Sequence, residues 1–383
     1  MRGRDKPQPL QNIMPRKIFI FLALIFFHAC APTPTPTSPS PSPVSTPTFF
    51  SVPPTSIFIE ATPHAPLTVR GTFVYSAGDG SLWRQNTRGG EPTPLVERST
   101  ESIAQQPAFS PDGKQIAYSA LLFLPDGNLR GDIRVIAADG KNARTLIQAE
   151  ANEVVYFYPR FANDGRLLVT RAEKLQTTAE RAQLEWVNVD GAGERTRVIE
   201  NARDADVSRD GTRIAFIRHD VAAMRSSLWL ANADGKDEKI LVDDTTFAAI
   251  LNPRFSPDGK WLAFGVHGAA QKSLPLLSRP VPFHLAARDL SSCVPVFLFP
   301  CFARTAHAHA APGALWRVNL ETGKFQQLTD VYDDSPVPAW SSDGTQLAIH
   351  DYTGIRLIDI ARAEIYPLFL EDGGNGGFDW GEE

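Results

Sequence analysis

A twelve-residue phrase is written five times along this chain, and this repetition constrains the fold more than any other feature. The copies are PAFSPDGKQIAY (107–118), PRFANDGRLLVT (159–170), ADVSRDGTRIAF (205–216), PRFSPDGKWLAF (253–264) and PAWSSDGTQLAI (338–349). The Asp-Gly pair supplies the positive-φ turn chemistry of a hairpin, and apolar residues alternate after it. Each copy therefore predicts a strand, a tight turn and a second strand.

A second phrase follows each copy of the first. It occurs at 132–147, 184–199, 227–242, 314–329 and 355–369, with an earlier copy at 81–96. Each copy predicts two more strands joined by a turn. The aspartates of the first phrase lie 52, 46, 48 and 85 residues apart, so the last interval contains an insertion. Four strands in about 45 residues are typical of a propeller blade and not of a helical solenoid.

The two phrases together, PxFSPDGxxIAF and LWxxNxDGxxxxxL, resemble the TolB-type, WD40-like (PD40) β-propeller repeat over roughly residues 70–381. The resemblance implies an all-β propeller in which the innermost strand of each blade lines a central channel. Propellers of this kind serve many unrelated tasks, so the repeat is specific for fold and says little about function.

The two ends of the repeat region predict how the ring closes. The first unit, GTFVYSAGDGSLWRQN (71–86), has no PAFS-like strand before it, whereas FDW (378–380) near the C-terminus matches PAW (338–340). We therefore predict a six-bladed propeller with four-stranded blades, closed by the C-terminal strand joining blade one. Such closure leaves no exposed sheet edge in the ring to promote aggregation.

The N-terminal segment resembles a bacterial lipoprotein signal. Arg16 and Lys17 precede an apolar run, Ile18–Phe27, which is too short to span a bilayer but fits a secretory signal. Ala29-Cys30 then resembles a lipobox, although Phe27 stands where an aliphatic residue is usual. The resemblance implies that Cys30 is diacylated; the alternative is an ordinary signal peptide with a bystander cysteine. Met14 is the start that we expect.

A proline-rich stretch follows the predicted anchor. Residues 31–56 contain nine prolines, a composition that cannot bury enough apolar surface to fold. We expect a signal peptide at 1–29, a Pro/Ser/Thr-rich tether at 30–69 and the propeller at 70–383. The expected location is extracytoplasmic, anchored to a membrane on the periplasmic or cell-surface side.

The charge of the chain bears on its expected partners, and its cysteines bear on its expected disulfide and metal sites. The chain after residue 29 carries 33 Lys and Arg against 42 Asp and Glu, a formal charge of −9, which argues against nonspecific nucleic-acid binding. Cys293 and Cys301 are expected to form a disulfide in an oxidising compartment. Buried free thiols are the alternative, and a zinc site recruiting His307 and His309 lacks a second ligand cluster.

The insertion at 270–313 interrupts blade five between its second and third strands. It contains both of these cysteines and a very apolar loop, Val294–Phe299. A long loop on a rigid ring is a frequent place for function. The insertion is expected either to contact a partner, a ligand or the membrane, or to be a variable excursion packed on itself.

Two positions of the first phrase are compared around the predicted ring. Three residues before each Asp is a bulky apolar side chain, expected to pack blade against blade. One residue earlier, the predicted channel position is occupied in ring order by Asp379, Ala108, Arg160, Asp206, Arg254 and Ala339. Arg160, Asp206, Arg254 and Asp379 are therefore the candidate channel-lining residues. Either the charges pair between blades, which we favour, or the two arginines bind an anionic ligand at the channel mouth.

Motifs for catalysis are missing from the sequence. It contains no G-x-S-x-G, H-E-x-x-H, EF-hand or phosphate-loop pattern. Because the repeats run to the last residues of the sequence, we expect no hydrolase domain after them. The single carboxylates of the Asp-Gly pairs are interpreted as turn residues and not as calcium ligands, which must converge. We therefore expect no metal, no cofactor and no enzymatic activity.

The favoured functional hypothesis is a monomeric, protein-binding scaffold at the cell envelope. The resemblance to TolB implies envelope partners, but the N-terminal α/β domain of TolB has no counterpart in this sequence and the transport role is not transferred. The alternatives are binding of a small molecule or glycan in the channel mouth, or, least favoured, a propeller enzyme acting through two His-Asp pairs, His219-Asp220 and His350-Asp351.

Overall fold

The computed structural model describes residues 68–382 except 176, 191–193, 269, 271–283, 286–312, 330–335, 352–353 and 370–375. The compact body starts at Val69. The predicted lipid-attachment residue Cys30, the signal peptide and most of the tether lie outside the described residues, as does the predicted Cys293–Cys301 disulfide.

The described residues form 25 strands. The first twelve are β1 Thr72–Ser76, β2 Leu82–Asn86, β3 Thr93–Val96, β4 Ser102–Phe109, β5 Gln115–Phe123, β6 Leu129–Ala137, β7 Arg144–Ile147, β8 Val154–Phe161, β9 Arg166–Glu173, β10 Arg181–Asn188, β11 Arg195–Glu200 and β12 Arg203–Val207. The others are β13 Arg213–Asp220, β14 Arg225–Asn232, β15 Lys239–Val242, β16 Ala249–Phe255, β17 Trp261–His267, β18 His284–Leu285, β19 Gly313–Asn319, β20 Phe325–Gln327, β21 Val337–Trp340, β22 Gln346–Asp351, β23 Gly354–Asp359, β24 Glu364–Phe369 and β25 Phe378–Gly381.

The strands pair in repeated antiparallel runs of four. Three sheets have four strands, in the orders β25-β1-β2-β3, β12-β13-β14-β15 and β16-β17-β19-β20, and a fifth strand, β18, extends β21-β22-β23-β24 at its outer edge. The remaining sheet has eight strands, because the runs β4–β7 and β8–β11 share one parallel contact, Gly131 with Val155. A Cβ on Gly131 would lie 2.4 Å from Val155 Cγ1, so glycine permits this approach. The all-β propeller fold is confirmed.

The innermost strands meet around a common axis. β4, β8, β12, β16 and β21 each pack against the next in this order, and β25 packs against both β21 and β4. β25 also pairs antiparallel with β1, where Phe73 is opposite Trp380. A four-stranded run is called a blade below and is named by its innermost strand, for example the β12 blade.

The Asp-Gly turns are held by a recurring set of local hydrogen bonds. In the first copy, Ser110 Oγ donates to Asp112 Oδ1 at 2.7 Å, and the Lys114 backbone N–H donates to the same oxygen at 3.1 Å. Gly113 has a φ of 68°, in the left-handed region that glycine enters without steric cost. The serine bonds recur at Ser208, Ser256 and Ser341. These aspartates therefore act as turn residues.

A recurring irregularity in the innermost strands has no counterpart in the sequence pattern. The pairing register shifts in β4, β8, β12 and β16, always two or three residues before the Phe or Val of the phrase. Non-glycine residues with positive φ occur at these shifts: Gln106 (54°), Tyr158 (52°), Asp204 (50°) and Asn252 (49°). Bulges bend a strand and re-aim the side chains that follow. Each bulge precedes the predicted channel position by two residues.

The core is divided among the interfaces between blades. One cluster joins Leu228 and Val242 of the β12 blade to Phe247, Phe264 and Trp316 of the β16 blade. Another joins Val74 and Leu82 of the β25 blade to Ile116, Tyr118 and Ile136 of the β4 blade. The bulky residues three before the Asp mostly take part, as predicted: Val207, Phe255, Trp340 and Trp380 are buried, and Phe109 and Phe161 are half-buried.

The insertion starts and ends between strands that are neighbours in the β16 blade. β17 pairs directly with β19, with Phe264 opposite Trp316. The chain therefore leaves the sheet at the end of β17 and re-enters it beside that end, at the start of β19. Of the inserted residues, His284 and Leu285 pair in parallel with Glu364 and Ile365 of β24. No helix within the described ranges is long and apolar enough to cross a membrane.

Candidate functional site

All the innermost strands contribute to one cavity, called here the mouth cavity. It has a volume of about 220 Å³ and contains the whole predicted channel position: Asp379, Ala108, Arg160, Asp206, Arg254 and Ala339. Residues of the Asp-Gly turns, such as Ser110 and Ser256, also line it. The cavity therefore opens on the face of the ring that carries these turns, and the structure brings the four charged candidates together there.

Arg160 and Asp206 form an ion pair between neighbouring blades. Arg160 Nε lies 3.6 Å from Asp206 Oδ1, and Arg160 Nη1 donates to the Pro107 carbonyl oxygen at 3.1 Å. The Arg160 side chain is 6% exposed and that of Asp206 is 12% exposed. Charges this deeply buried must be paired to offset their lost hydration. Of the two alternatives for the channel charges, pairing between blades is therefore the one observed at Arg160.

The two aspartates of the cavity also bind the backbone of the next blade. Asp206 Oδ2 accepts a hydrogen bond from the Phe255 backbone N–H at 2.8 Å, and Asp379 Oδ2 accepts one from the Phe109 backbone N–H at 2.7 Å. The two contacts are equivalent, since both aspartates occupy the channel position and both partners are three residues before a turn Asp. Each carboxylate thus joins two blades at the channel wall.

Burial shifts the protonation of both aspartates. It raises the pKa of Asp206 to about 7, while Arg160 and the Phe255 N–H act in the opposite direction. Burial also raises the pKa of Asp379, again opposed by Arg160. Desolvation disfavours the charged form of a carboxyl group, which is why its pKa rises. The aspartates therefore take up a proton more readily than exposed carboxyl groups.

Arg254 occupies the same position as Arg160 but has different surroundings. It is 5% exposed, and its Nη1 donates to the carbonyl oxygen of the preceding residue, Pro253, at 2.7 Å. Among the described residues, no carboxylate lies within 4.0 Å of Arg254, and its Nε has no hydrogen-bond partner. The reason is the next blade: Asp206 follows Arg160 around the ring, whereas Ala339 follows Arg254.

Polar residues surround the opening of the mouth cavity. Arg209 Nη2 lies 3.3 Å from Glu382 Oε1, and Arg209 Nη1 donates to the Ser342 carbonyl oxygen at 3.4 Å. Asn163 Nδ2 donates to the Arg209 carbonyl oxygen. The contacts of Arg209 with Ser342 and Glu382 cross between blades that are not adjacent in sequence. The opening thus has an exposed rim of mixed charge above a buried charged interior.

A second cavity, of about 300 Å³, lies beside the first residue of β12, Arg203. Its lining includes Glu180, Arg203, His219 and Asp220. Arg203 Nη1 lies 3.0 Å from Glu180 Oε1, and its Nε lies 3.2 Å from Asp204 Oδ1. Burial is the main cause that lowers the pKa of His219. Neither Glu180 nor Arg203 could be identified from the sequence, because Glu180 precedes β10 and Arg203 starts β12, both outside the aligned phrases.

The structure does not bring the two predicted His-Asp pairs together. His219 lines the second cavity, whereas His350 is 1% exposed and packs between the rings of Tyr75 and Phe378 at the contact between the β21 and β25 blades. The Asp351 side chain lies outside the described residues. Within the described ranges there is no group of three or more His, Cys, Asp or Glu that could hold a metal ion.

Comparisons with known proteins agree with this geometry. Residues 80–245 match the family model of the lipoprotein LpqB β-propeller domain. The solved structure of TolB from Acinetobacter baumannii matches with a TM-score of 0.57 and 14% identity, covering 82% of this chain and 67% of that chain. The described part of the chain has the β-propeller fold of that TolB structure. At this identity the likeness shows the fold alone, and the LpqB match ends before Arg254 and Asp379.

Two further solved structures are similar at a lower level. A putative TolB from Agrobacterium tumefaciens has 18% identity and a TM-score of 0.48, covering 71% of this chain and 87% of that chain. An oligogalacturonate lyase in complex with manganese has 15% identity and a TM-score of 0.46, covering 74% of this chain and 69% of that chain. With TM-scores below 0.5, neither supports an argument about this propeller. No curated protein matches its sequence.

Proposed function

We propose that this chain is a lipid-anchored, extracytoplasmic propeller that acts as a protein-binding scaffold at the cell envelope, with the mouth cavity and its rim as the binding surface. The observation that carries the proposal is the cavity itself, in which side chains from all the innermost strands converge below an exposed polar rim. A ring held by interblade contacts presents such a surface with little conformational freedom, which lowers the entropic cost of binding.

The proposed ring has six blades and is closed by β25. Six innermost strands contact one another in cyclic order, and each begins an antiparallel run of four strands. The eight-stranded sheet counts as two blades, because the single contact between Gly131 and Val155 is parallel, whereas all pairing within the runs is antiparallel. Residues 70–383 form the proposed propeller domain, with the insertion at 270–313.

The contacts in the mouth cavity favour binding over catalysis. The hydroxyl groups of Ser110 and Ser256 donate to turn aspartates, at 2.7 and 2.5 Å, and accept backbone N–H groups within the same turns. Asp206 and Asp379 accept backbone N–H groups from neighbouring blades. A nucleophile needs a base beside it, and these side chains are engaged in holding the ring. The proposed activity is therefore recognition.

The size of the cavity sets the kind of contact. A volume of about 220 Å³ admits a single side chain or a chain terminus, not a folded segment. The rest of a protein partner would lie on the rim, where Asn163, Arg209 and Glu382 are exposed. A small central pocket with a polar rim is the arrangement of many protein interfaces. Binding of a free small molecule in the same cavity is the second candidate function.

Site-specific photo-crosslinking tests the binding surface. A photoreactive residue at Asn163 on the rim is compared with one at Lys239 on the exposed outer strand β15, both in the full-length chain in its native membranes. We expect one defined adduct from Asn163 and none from Lys239. Equal labelling from both positions, or no adduct from Asn163, would contradict a partner site at the channel mouth.

The lipid anchor is a separate part of the proposal. It is supported by the signal-like segment before Cys30, by the proline-rich residues 31–56, and by the family match to a lipoprotein propeller. Labelled palmitate should be incorporated into the wild-type chain and not into Cys30→Ala, which should also leave the membrane fraction. Equal incorporation in both chains would exclude acylation at Cys30.

A further inference from the structure

Arg254 is the one charged residue of the channel position that the ring leaves without a charged or backbone partner from another blade in the described structure. It is 95% buried, and the only hydrogen bond of its side chain within the described structure runs to the carbonyl oxygen of the adjacent Pro253. A guanidinium group has five N–H donors, and a buried charge without a nearby partner is costly. Arg254 therefore carries unused hydrogen-bonding capacity, with no described carboxylate within 4.0 Å, in a cavity that opens to the surface.

We infer that Arg254 is the binding residue for a carboxylate group of the ligand that enters the mouth cavity. The inference rests on the proposed function and names the chemistry that this surface recognises. A planar guanidinium group matches a carboxylate with two parallel N–H to oxygen bonds. At the equivalent place the ring supplies a carboxylate of its own, because Arg160 Nε lies 3.6 Å from Asp206 Oδ1 of the next blade.

The other charges of the cavity select against more highly charged anions. Asp206 and Asp379 line the same cavity, and Arg160 compensates them from one side. Arg209 and Glu382 pair with each other at the rim. The two arginines balance the two aspartates in formal charge, so the cavity has no excess positive charge, and its two carboxyl groups would repel a ligand that carries more than one negative charge. A monoanionic carboxylate fits this balance better than a phosphate, which carries more charge.

Two sources could supply this carboxylate: a free small carboxylic acid, or an acidic side chain or C-terminus of a peptide. The probes are propionate and a blocked pentapeptide, acetyl-Gly-Gly-Asp-Gly-Gly-amide. Propionamide and the Asn analogue of the peptide are their uncharged controls. Binding to the full-length chain in detergent is measured by calorimetry and by saturation-transfer NMR.

Three variants distinguish Arg254 from general attraction. Arg254→Gln removes the proposed contact. Ala339→Asp places a carboxylate in the next blade, as Asp206 does for Arg160. This carboxylate should pair with Arg254 and so compete with the carboxylate of the ligand. Lys239→Gln removes the same charge from the exposed outer strand β15, away from the mouth cavity, and is the control. Thermal melts followed by circular dichroism establish that each variant is folded.

We expect propionate, the aspartyl peptide or both to bind, and the uncharged controls to bind at least about tenfold more weakly, because hydrogen bonds to charged groups in buried sites are strong. Binding should fall by at least about tenfold in Arg254→Gln and in Ala339→Asp, and by less than about twofold in Lys239→Gln. Peptide binding without propionate binding identifies a peptide carboxylate, and the reverse identifies a free acid. Both results support the inference.

The inference is overturned if neither probe binds better than its uncharged control, or if folded Arg254→Gln and Ala339→Asp bind the probes as the wild type does. Should Arg254→Gln fail to fold, Ala339→Asp decides alone, since it adds an ion pair and removes no contact. Crosslinking from Asn163 that persists while both probes fail leaves the scaffold proposal standing without the carboxylate site. Probe binding without any crosslink contradicts the scaffold proposal and leaves the carboxylate site at Arg254 standing.

Discussion

Arg160 and Arg254 occupy equivalent positions in two blades of one ring, and their surroundings differ. Arg160 has Asp206 of the next blade at 3.6 Å, and donates to the Pro107 carbonyl oxygen of the preceding blade. Arg254 is followed by Ala339 and donates only to the carbonyl oxygen of its own neighbour, Pro253. In a ring of repeats, the chemistry of a position is therefore decided by the blade beside it as much as by the residue itself.

The largest expected effect comes from removing the part of the ring that carries Asp379. Deletion of residues 376–383 removes β25, which buries Phe378 and Trp380 and holds the Phe109 N–H through Asp379. Loss of such aromatic side chains costs about 3–5 kcal/mol each, comparable to the total stability of a domain. We expect the truncated chain to be unfolded at 25 °C in circular dichroism. A cooperative melt like that of the full chain would show that both arginine sites exist without β25.

A smaller effect should separate the two arginines directly. Asp206→Ala leaves Arg160 buried without its partner, and the Phe255 N–H without its acceptor. We expect a loss of about 3–5 kcal/mol in the free energy of unfolding. Arg254→Gln breaks no ion pair and should change it by less than about 1 kcal/mol, since removal of an unpaired buried charge offsets the lost contacts. Denaturant titrations of Asp206→Ala and Arg254→Gln measure both changes in the free energy of unfolding. Equal losses in the two variants would contradict the difference drawn between Arg160 and Arg254.

The third expected effect is a dependence of stability on pH. The pKa of Asp206 is about 7 in the folded chain, against an ordinary value of 3.8. Between these values the folded chain holds more protons than the unfolded chain, so stability falls as pH rises from about 4 to 7 and is flat above. One such group contributes a slope of up to about 1.4 kcal/mol per pH unit.

Asp206→Asn keeps an oxygen to accept the Phe255 N–H and removes the titration. Chemical denaturation at pH 4.5, 5.5, 6.5 and 7.5 should therefore give a shallower fall in stability for Asp206→Asn than for the wild type. Asp379→Asn, at the equivalent position, should also give a shallower fall than the wild type, because burial raises the pKa of Asp379 as well. Identical profiles for Asp206→Asn and the wild type would mean that Asp206 does not hold its proton as this geometry indicates.

The fold was predictable because its main signals are local. The Asp-Gly turns and the alternating strands after them follow from residues within a few positions, and the structure has them at Asp112, Asp210 and Asp258. The bulges were not predictable, since Gln106, Tyr158, Asp204 and Asn252 share no residue type that favours positive φ.

The candidate site was predictable in position and only partly in chemistry. Alignment on the turn Asp placed Arg160, Asp206, Arg254 and Asp379 on one level, and the structure has all four in one cavity. The order of residues around the ring already contained Ala339 after Arg254, but without the contact between β16 and β21 its consequence could not be judged. The bonds from Asp206 and Asp379 to the next backbone depend on interblade geometry that no local pattern contains.

The most direct test of the difference between the two arginines is the NMR signal of each side-chain Nε–H group during titration with propionate. The Arg254 and Arg160 signals are assigned by their loss in Arg254→Lys and Arg160→Lys. We predict that the Arg254 signal shifts on addition of propionate and is unaffected by propionamide, while the Arg160 signal, already paired with Asp206, stays in place. Equal shifts of both signals, or a shift of Arg160 alone, would contradict the account.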